Sequence, residues 1–472
     1  MTTTPSAPYF DRVASQWDAL RSGYFSDEVR QHAIQKAYLH PSLVVADVGA
    51  GSGFMTVGLA PLVHKVHVID SSPAMLEVAR QNLAHFDNLE FHQADLLALP
   101  LPDASLDTVF ANMVLHHCPD PLAAIRELVR VLRPAGRLVI TDLEPHSQAW
   151  LQAEMADLWL GFSRAQIRQW FAQASLVNTI VDCTGQSCQA ASQQQAGERA
   201  AIRIFLATGT RRVEARDYVQ ASYAARALGA ESCCSSTSCS CSDVNCCSPG
   251  ELSPEDEEAG AVQLNPGYSA AEKASIPQEA AEISLGCGNP IAMANLRPGE
   301  VVLDIGSGGG MDAFLAARRV GPEGEVIGVD MTPAMLQRAR RAAKKGGFTN
   351  IRFRHGYAER LPLPDDSVDV VLSNCVINLA EDKARVFREA FRVLKPGGRL
   401  EVSDIVFGGA VPPLVRTSLY GWAECVSGAL PEPEYLDLVR QAGFREISVR
   451  RSASAGSSAG VPVYSAQVSA RK

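Results

Sequence analysis

The sequence lacks an excess of positive charge, a long apolar run and a basic leader. Its formal net charge is −9, so neither a phosphate backbone nor an anionic lipid surface has an electrostatic hold on it. No nucleic acid and no membrane are therefore expected as partners. No apolar stretch approaches the roughly 20 residues that cross a bilayer. The opening MTTTPSAPYF has no basic n-region and no apolar h-region, so no signal peptide is read there and the cytoplasm is the expected location. Apolar residues still make up 46% of the 472 residues, enough for two or three well-cored globular domains. In a reducing compartment the twelve cysteines are expected mostly as thiols. Half of them fall between Cys233 and Cys247.

The strongest organisational signal is a repeat. Asp47-Val-Gly-Ala-Gly-Ser-Gly returns 257 residues later as Asp304-Ile-Gly-Ser-Gly-Gly-Gly. Pro73-Ala-Met-Leu returns at Pro333, and Leu99-Pro-Leu-Pro-Asp at Leu361. Val131-Leu-Arg-Pro-Ala-Gly-Arg-Leu returns at Val393. Four matches in one order imply two copies of one domain. The expected boundaries are 1–210 for the first copy, 211–280 for a linker and 281–472 for the second. The linker contains a Ser-, Cys- and acid-rich stretch at 231–262 with almost no large apolar residues, which is expected to be a mobile tether.

Each copy alternates short apolar runs with amphipathic ones. In the second, strands are expected at 301–303, 325–329, 351–353, 368–372 and 400–402, with helices near 333–344 and 382–394 between them. This is the pattern of an α/β fold, a mostly parallel sheet with helices on both faces. Its ligand is expected at the carboxyl ends of the strands.

Both copies place a strand ending in Asp before a Gly-x-Gly-x-Gly turn and a helix. An acid closes the next strand, Asp70 in one copy and Asp330 in the other. A carboxylate there can accept two hydrogen bonds from a ribose diol. The loops Gly49-Ala-Gly51-Ser-Gly53 and Gly306-Ser307-Gly308-Gly-Gly310 depart from the G-x-G-x-x-G of dinucleotide sites. They resemble motif I of the class I, Rossmann-like methyltransferases. That resemblance implies S-adenosylmethionine as cofactor. In the second copy it assigns Asp304, Gly306, Ser307, Gly308, Asp330, Met331, Ala358, Glu359 and Asn374 to its binding, and in the first Asp47, Gly49, Gly51, Asp70 and Asp95.

The second copy adds three cysteines. Cys287 lies in SLGCGNP, Cys375 in SNCVINL after the fourth strand, and Cys425 in ECVSGAL. With GVDMTPAML and FREAFRVLKPGGRL, these strings resemble the bacterial arsenite S-adenosylmethionine methyltransferases from about Arg216 onward. The resemblance implies that Cys375 and Cys425 bind As(III), that Cys287 is a third ligand and redox partner, and that a further cysteine comes from an upstream segment. Here that means Cys233, Cys234, Cys239, Cys241, Cys246 or Cys247. The chemistry agrees, since a soft metalloid prefers thiolates over carboxylate or imidazole. Arsenite or an arsenic–thiol conjugate is then the substrate. The resemblance further implies that methylation oxidises the arsenic, that a cysteine pair reduces it again by forming a disulfide, and that a thioredoxin or glutathione system resets that pair. The bland alternative is that each cysteine is a small buried hydrophobe. The CC-x4-C-x-C-x4-CC run fits no zinc spacing. It is open to metalloid capture, promiscuous metal binding or a solvated linker.

In the first copy Met113 stands where the second has Cys375, and nothing matches Cys425. His116-His117-Cys118 suggests a metal site, against which stand a helix cap or a wall of the cofactor cleft. This copy resembles generic small-molecule methyltransferases of the ubiquinone/menaquinone type and methyltransferase modules of arsenic-responsive regulators. Its substrate is not legible. The rivals to arsenite methylation are a carbon- or oxygen-directed methyltransferase and a non-enzymatic, thiol-rich arsenic-binding protein.

Overall fold

A computed structural model of the chain describes residues 6–192, 194, 198–228, 267–281 and 286–472. All six cysteines of the 231–262 stretch, Cys233 and Cys234 included, lie outside the described residues. The chain divides into two compact units, Met1–Val213 and Glu214–Lys472.

In the first unit the strands are β1 (Val44–Val48), β2 (Lys65–Asp70), β3 (Leu89–Gln93), β4 (Leu106–Asn112), β5 (Leu132–Leu143), β6 (Leu176–Ala191) and β7 (Arg199–Arg211). Their order in the sheet is β3-β2-β1-β4-β5-β7-β6. The first five run parallel, and β7 is antiparallel to both β5 and β6. Val45 and Ala46 are neighbours on β1 yet fall in different apolar clusters, as expected where a sheet is covered on both faces. Crossover helices start where the sequence provides caps. Ser72 accepts from Met75 N ahead of Pro73, and Asp120 accepts from Ala123 N ahead of Pro121.

The second unit repeats this plan with β8 (Val301–Ile305), β9 (Glu325–Asp330), β10 (Ile351–His355), β11 (Val368–Asn374), β12 (Leu394–Phe407), β13 (Leu430–Pro431), β14 (Arg445–Ser458) and β15 (Val461–Arg471). The order is β10-β9-β8-β11-β12-β15-β14, with β13 paired to β12. The helices Pro333–Lys345 and Lys383–Val393 lie where periodicity placed them.

The stretch expected as a linker is not uniform. Arg216–Ala227 is a helix, and Ala270–Ala274 and Gln278–Ala281 are further helices. Tyr268 and Ala280 enter the apolar core of the second unit. Among the described residues no helix is long and apolar enough to cross a membrane.

Candidate active site

The second unit opens a cleft of about 1030 Å³ at the carboxyl ends of β8, β9 and β11. Its floor is the glycine loop. Gly306 has φ 69°, and a Cβ there would meet Val376 Cγ2 at 2.2 Å, so only glycine fits. Gly308 N donates to Asp330 Oδ2 at 2.9 Å, and Thr332 N to Oδ1 at 2.7 Å. These bonds hold the acid at the end of β9. Burial raises the pKa of Asp330 against those bonds.

The cleft is lined by Asp304, Gly306, Ser307, Gly308, Asp330, Met331, Ala358, Glu359, Asn374 and Cys375, so the structure brings the expected residues of this copy together. Asp312 lines it as well. Burial, then the neighbouring Asp312 and Asp330, pushes Asp304 well above the usual carboxylate range. Burial brings Asp312 to about 6. Asp304 Oδ2 and Ser307 Oγ are buried without a hydrogen-bond partner. Three acids and two orphaned polar atoms on one wall fit a ligand carrying positive charge and donors. S-adenosylmethionine, with its ammonium and sulfonium, is such a ligand.

Asn374, the last residue of β11, organises the acceptor side. Its Nδ2 donates to Tyr268 Oη at 2.8 Å, to Gly288 O at 2.8 Å and to Asp312 Oδ2 at 3.1 Å. Its Oδ1 accepts from Cys287 N at 3.1 Å. The Cys287 loop is thereby fastened to the end of the strand that precedes Cys375. Ser465 Oγ on β15 donates to Cys287 O at 2.8 Å. The three cysteines meet there, each buried and in one cluster. Cys375 and Cys425 both have positive φ, 57° and 63°, sparsely populated for a residue with a Cβ and characteristic of functional sites.

The cysteines were expected mostly as free thiols; here Cys287 and Cys375 are joined as a disulfide, with Cα atoms 5.8 Å apart, where Asn374 draws the Cys287 loop onto its own chain neighbour. Cys425 is the free thiol, and its Sγ donates to Cys375 O at 3.0 Å. Burial pushes its pKa up to about 12.

Sequence reasoning missed the helix Arg216–Ala227. Tyr223 lines the cleft and lies 3.8 Å from Cys425 Sγ through its hydroxyl. Gln220 Nε2 donates to Met331 O at 2.7 Å, and Arg216 pairs with Glu359 at 2.8 Å. Arg226 pairs with Glu424, next to Cys425. The signal was a pair of arginines, Arg216 and Arg226, about three turns apart on an alanine-rich helix, easily read as a solvated face. Asp404 was also missed. It is buried, and one of its oxygens lies within 4.8 Å of a sulfur of both Cys287 and Cys375.

The first unit has a corresponding cleft of about 820 Å³. Gly49 and Gly51 line it with Asp70, whose Oδ2 accepts from Gly51 N at 2.8 Å. Two expected residues do not line it. Asp47 accepts from Thr56 N and Thr56 Oγ1 at 2.9 and 2.6 Å; the hydroxyl bond has no counterpart in the second copy, where Ala313 stands at that position and offers Asp304 its backbone alone. Asp95 accepts from Leu97 N at 2.8 Å, leaving its neighbours Ala94 and Leu96 on the wall. Met113 repeats the positive φ of Cys375 at 53°, so the two copies share the strained corner and differ in its side chain. His117 and Cys118 line this cleft, as the wall reading expected.

Both sheets thus have the class I, Rossmann-like methyltransferase fold. Methyltransferase-domain family profiles match residues 46–140 and 296–443. The chain carries two methyltransferase domains, a class whose methyl donor is S-adenosylmethionine.

Among curated relatives, an arsenite methyltransferase of Halobacterium salinarum is 44% identical over 50% of this chain and 59% of its own length. One of Aquipseudomonas alcaligenes is 44% identical over 34% of this chain and 48% of its own. The Homo sapiens arsenite methyltransferase is 41% identical over 30% of this chain and 40% of its own. The chain therefore spans about half the length of the curated relatives it matches. A crystal structure of an arsenic(III) S-adenosylmethionine methyltransferase from Chlamydomonas reinhardtii is 39% identical, covers 43% of this chain and 72% of that one, and has a TM-score of 0.39.

Proposed function

We propose that the second domain is an arsenite methyltransferase. The observation that carries this reading is the convergence of Cys287, Cys375 and Cys425 in one buried cluster beside a cleft built for a cationic cofactor. When bound, S-adenosylmethionine supplies an electrophilic methyl group. Asp330 is suited to hold its ribose, and Asp304 and Asp312 to attract its positive charges. In the reduced protein Cys375 and Cys425 are the standing ligands of As(III), with Cys287 as the third. The pyramidal metalloid then keeps its lone pair for the methyl carbon, so the site needs positioning rather than a strong base.

The arsenic gives up two electrons when it is methylated. Two thiols give up two in turn by closing the Cys287–Cys375 bond, which returns the arsenic to the trivalent state. An external dithiol of the thioredoxin type, or glutathione, reopens that bond by exchange. Mono- and dimethylated arsenic are the expected products, with trimethylation as a further round. The cytoplasm, where such reductants are kept, is the compartment this reading gives the protein. The cysteines from Cys233 to Cys247 would deliver arsenite to the site.

The test is incubation of the full chain with arsenite, labelled S-adenosylmethionine and a dithiol, followed by speciation of arsenic. Methylated arsenic is expected from the wild type and none from Cys375→Ser, because a neutral hydroxyl is neither soft nor ionised. Normal turnover by Cys375→Ser overturns the reading.

A further inference from the structure

The first domain keeps the methyltransferase plan without the thiols. At the corner where the second domain has Cys375 it has Met113, and a thioether cannot act as a thiolate anchor. Cys118 is no substitute, since it is the one cysteine among the residues that line this cleft and has no second thiol beside it to share a soft ligand. What the first domain has instead is a buried group that handles protons. His116 Nδ1 lies 2.7 Å from Asp142 Oδ1, and its Nε2 lies 3.8 Å from Asp157 Oδ1. Leu115 N donates to the other oxygen of Asp142 at 2.9 Å. The His117 ring lies 4.0 Å from that of His116. In the second domain the positions equivalent to His116 and His117 hold Asn378 and Leu379, neither of which takes up a proton.

His117 is the member of this group that reaches the cleft. Its Nδ1 is 3.1 Å from Ala156 O. A carbonyl can only accept, so Nδ1 carries the hydrogen and Nε2 carries a lone pair. Burial and the neighbouring His116 hold His117 well below the usual imidazole range. Burial alone would lower His116 too, but Asp142 and Asp157 overcome it and lift His116 to about 8. His116 thus takes the charge and His117 stays neutral, a standing acceptor. Four aromatic rings, Phe10, Trp17, Phe25 and Phe54, also line the cleft, with Arg21 and Met113 among them. The Phe10 ring meets His117 edge-on at 5.0 Å.

We propose that the first domain methylates the hydroxyl oxygen of a small aromatic acceptor, with His117 Nε2 as the group that receives the hydroxyl hydrogen. The aromatic walls suit a flat ring, and an obligate acceptor selects a ligand that donates. In the reaction the acceptor oxygen bonds to the methyl carbon as the donor's carbon–sulfur bond breaks. The sulfur keeps that electron pair and becomes a neutral thioether. The O–H pair stays on oxygen, and the proton passes to His117 Nε2 and then to water. No oxidant or reductant is required. The two domains then divide their chemistry by acceptor: a lone pair on arsenic, which has no proton to lose, and a hydroxyl, which has one.

The test uses the full chain with 4-methylphenol, which keeps its hydroxyl hydrogen at neutral pH, and its methyl ether 4-methylanisole as probes. Binding is measured by calorimetry with S-adenosylhomocysteine present, so that no transfer occurs. The wild type should bind the phenol at least tenfold more tightly than the ether. His117→Phe should bind the two alike. His117→Gln, which keeps an accepting oxygen but cannot take up a proton, should keep the preference and lose methyl transfer by at least a hundredfold. Unchanged melting of the first domain in His117→Gln separates this loss from misfolding. With labelled S-adenosylmethionine, 4-methylanisole should form without arsenite. Equal binding of both probes by the wild type, a preference retained in His117→Phe, or full transfer by His117→Gln each overturns the assignment. So does wild-type protein that labels thiophenol or aniline but no phenol.

Discussion

Opening the Cys287–Cys375 bond should lower the melting temperature of the second domain by about 8 °C and leave the first where it was. The bond spans 88 residues of sequence. Closing a loop of that length removes on the order of 15 cal/mol/K of entropy from the unfolded chain, or about 4.6 kcal/mol at 25 °C. A unit the size of Glu214–Lys472 unfolds with an entropy of roughly 0.5 kcal/mol/K, and the ratio gives the shift. Scanning calorimetry with and without a phosphine reductant is the assay. Only the transition of the second domain should move, because Cys118, Cys183 and Cys188 of the first are already free. The double variant C287S/C375S should melt near the reduced wild type and ignore the reductant. On the proposed function the same bond occupies a sulfur that would bind arsenic, so oxidised protein should bind S-adenosylmethionine yet transfer nothing to arsenite until a dithiol is added. A transition that stays put on reduction, or a double variant that still responds, refutes the reasoning.

Asp330→Ala should abolish cofactor binding by the second domain, since losing two charge-assisted hydrogen bonds costs on the order of 3–6 kcal/mol; calorimetry showing two normal sites in that variant would refute the placement of the ribose. Cys425, buried with its pKa pushed up to about 12, should resist iodoacetamide at pH 8 while exposed Cys183 is alkylated; peptide mapping reads the difference, and equal labelling contradicts it. His116, lifted to about 8 in the fold from about 6.5 unfolded, should stabilise the first domain by about 2 kcal/mol, fully below pH 6.5 and lost as pH rises through 8. Urea midpoints of the wild type should fall over that window, and Asp142→Asn should flatten the fall; an unchanged slope in the variant is the contrary result.

The parts of this molecule that local backbone chemistry dictates were readable in the sequence. The two glycine turns, the acids closing β2 and β9 and the five parallel strands of each sheet each depend on a few adjacent residues. The ends of elements were less legible. β12 begins at Leu394 rather than near 400, because Leu394 already pairs with Val368 ahead of a Lys-Pro-Gly-Gly irregularity that looks like a turn, and the ladder resumes at Arg399. The network of Tyr268, Asp312 and Asn374 was not legible, since Tyr268 and Asn374 are 106 residues apart and nothing local marks them as partners. The partner of the Cys287 sulfur was not legible for a related reason. Three thiols converge, and which two bond is decided by Asn374 holding the Cys287 loop. At His116 and His117, adjacency suggested that the rings diverge. A 3-10 turn at Leu115–His117 and the carbonyl of Ala156 bring both to one side.

The position of β15 has a bearing on biosynthesis. It lies between β12 and β14, and its Ser465 holds the carbonyl of Cys287, yet it is made after every other strand of its sheet. Until it has been made, β12 and β14 have no strand between them and the carbonyl of Cys287 lacks its Ser465 partner. The first domain, whose own central β7 ends at Arg211, can be folded by then, since domains fold as units in order of synthesis. For that interval the nascent chain has one finished domain and, in the other, three reactive thiols without their enclosure. Soft metal ions or oxidants present during synthesis would meet these cysteines before the fold that selects among them.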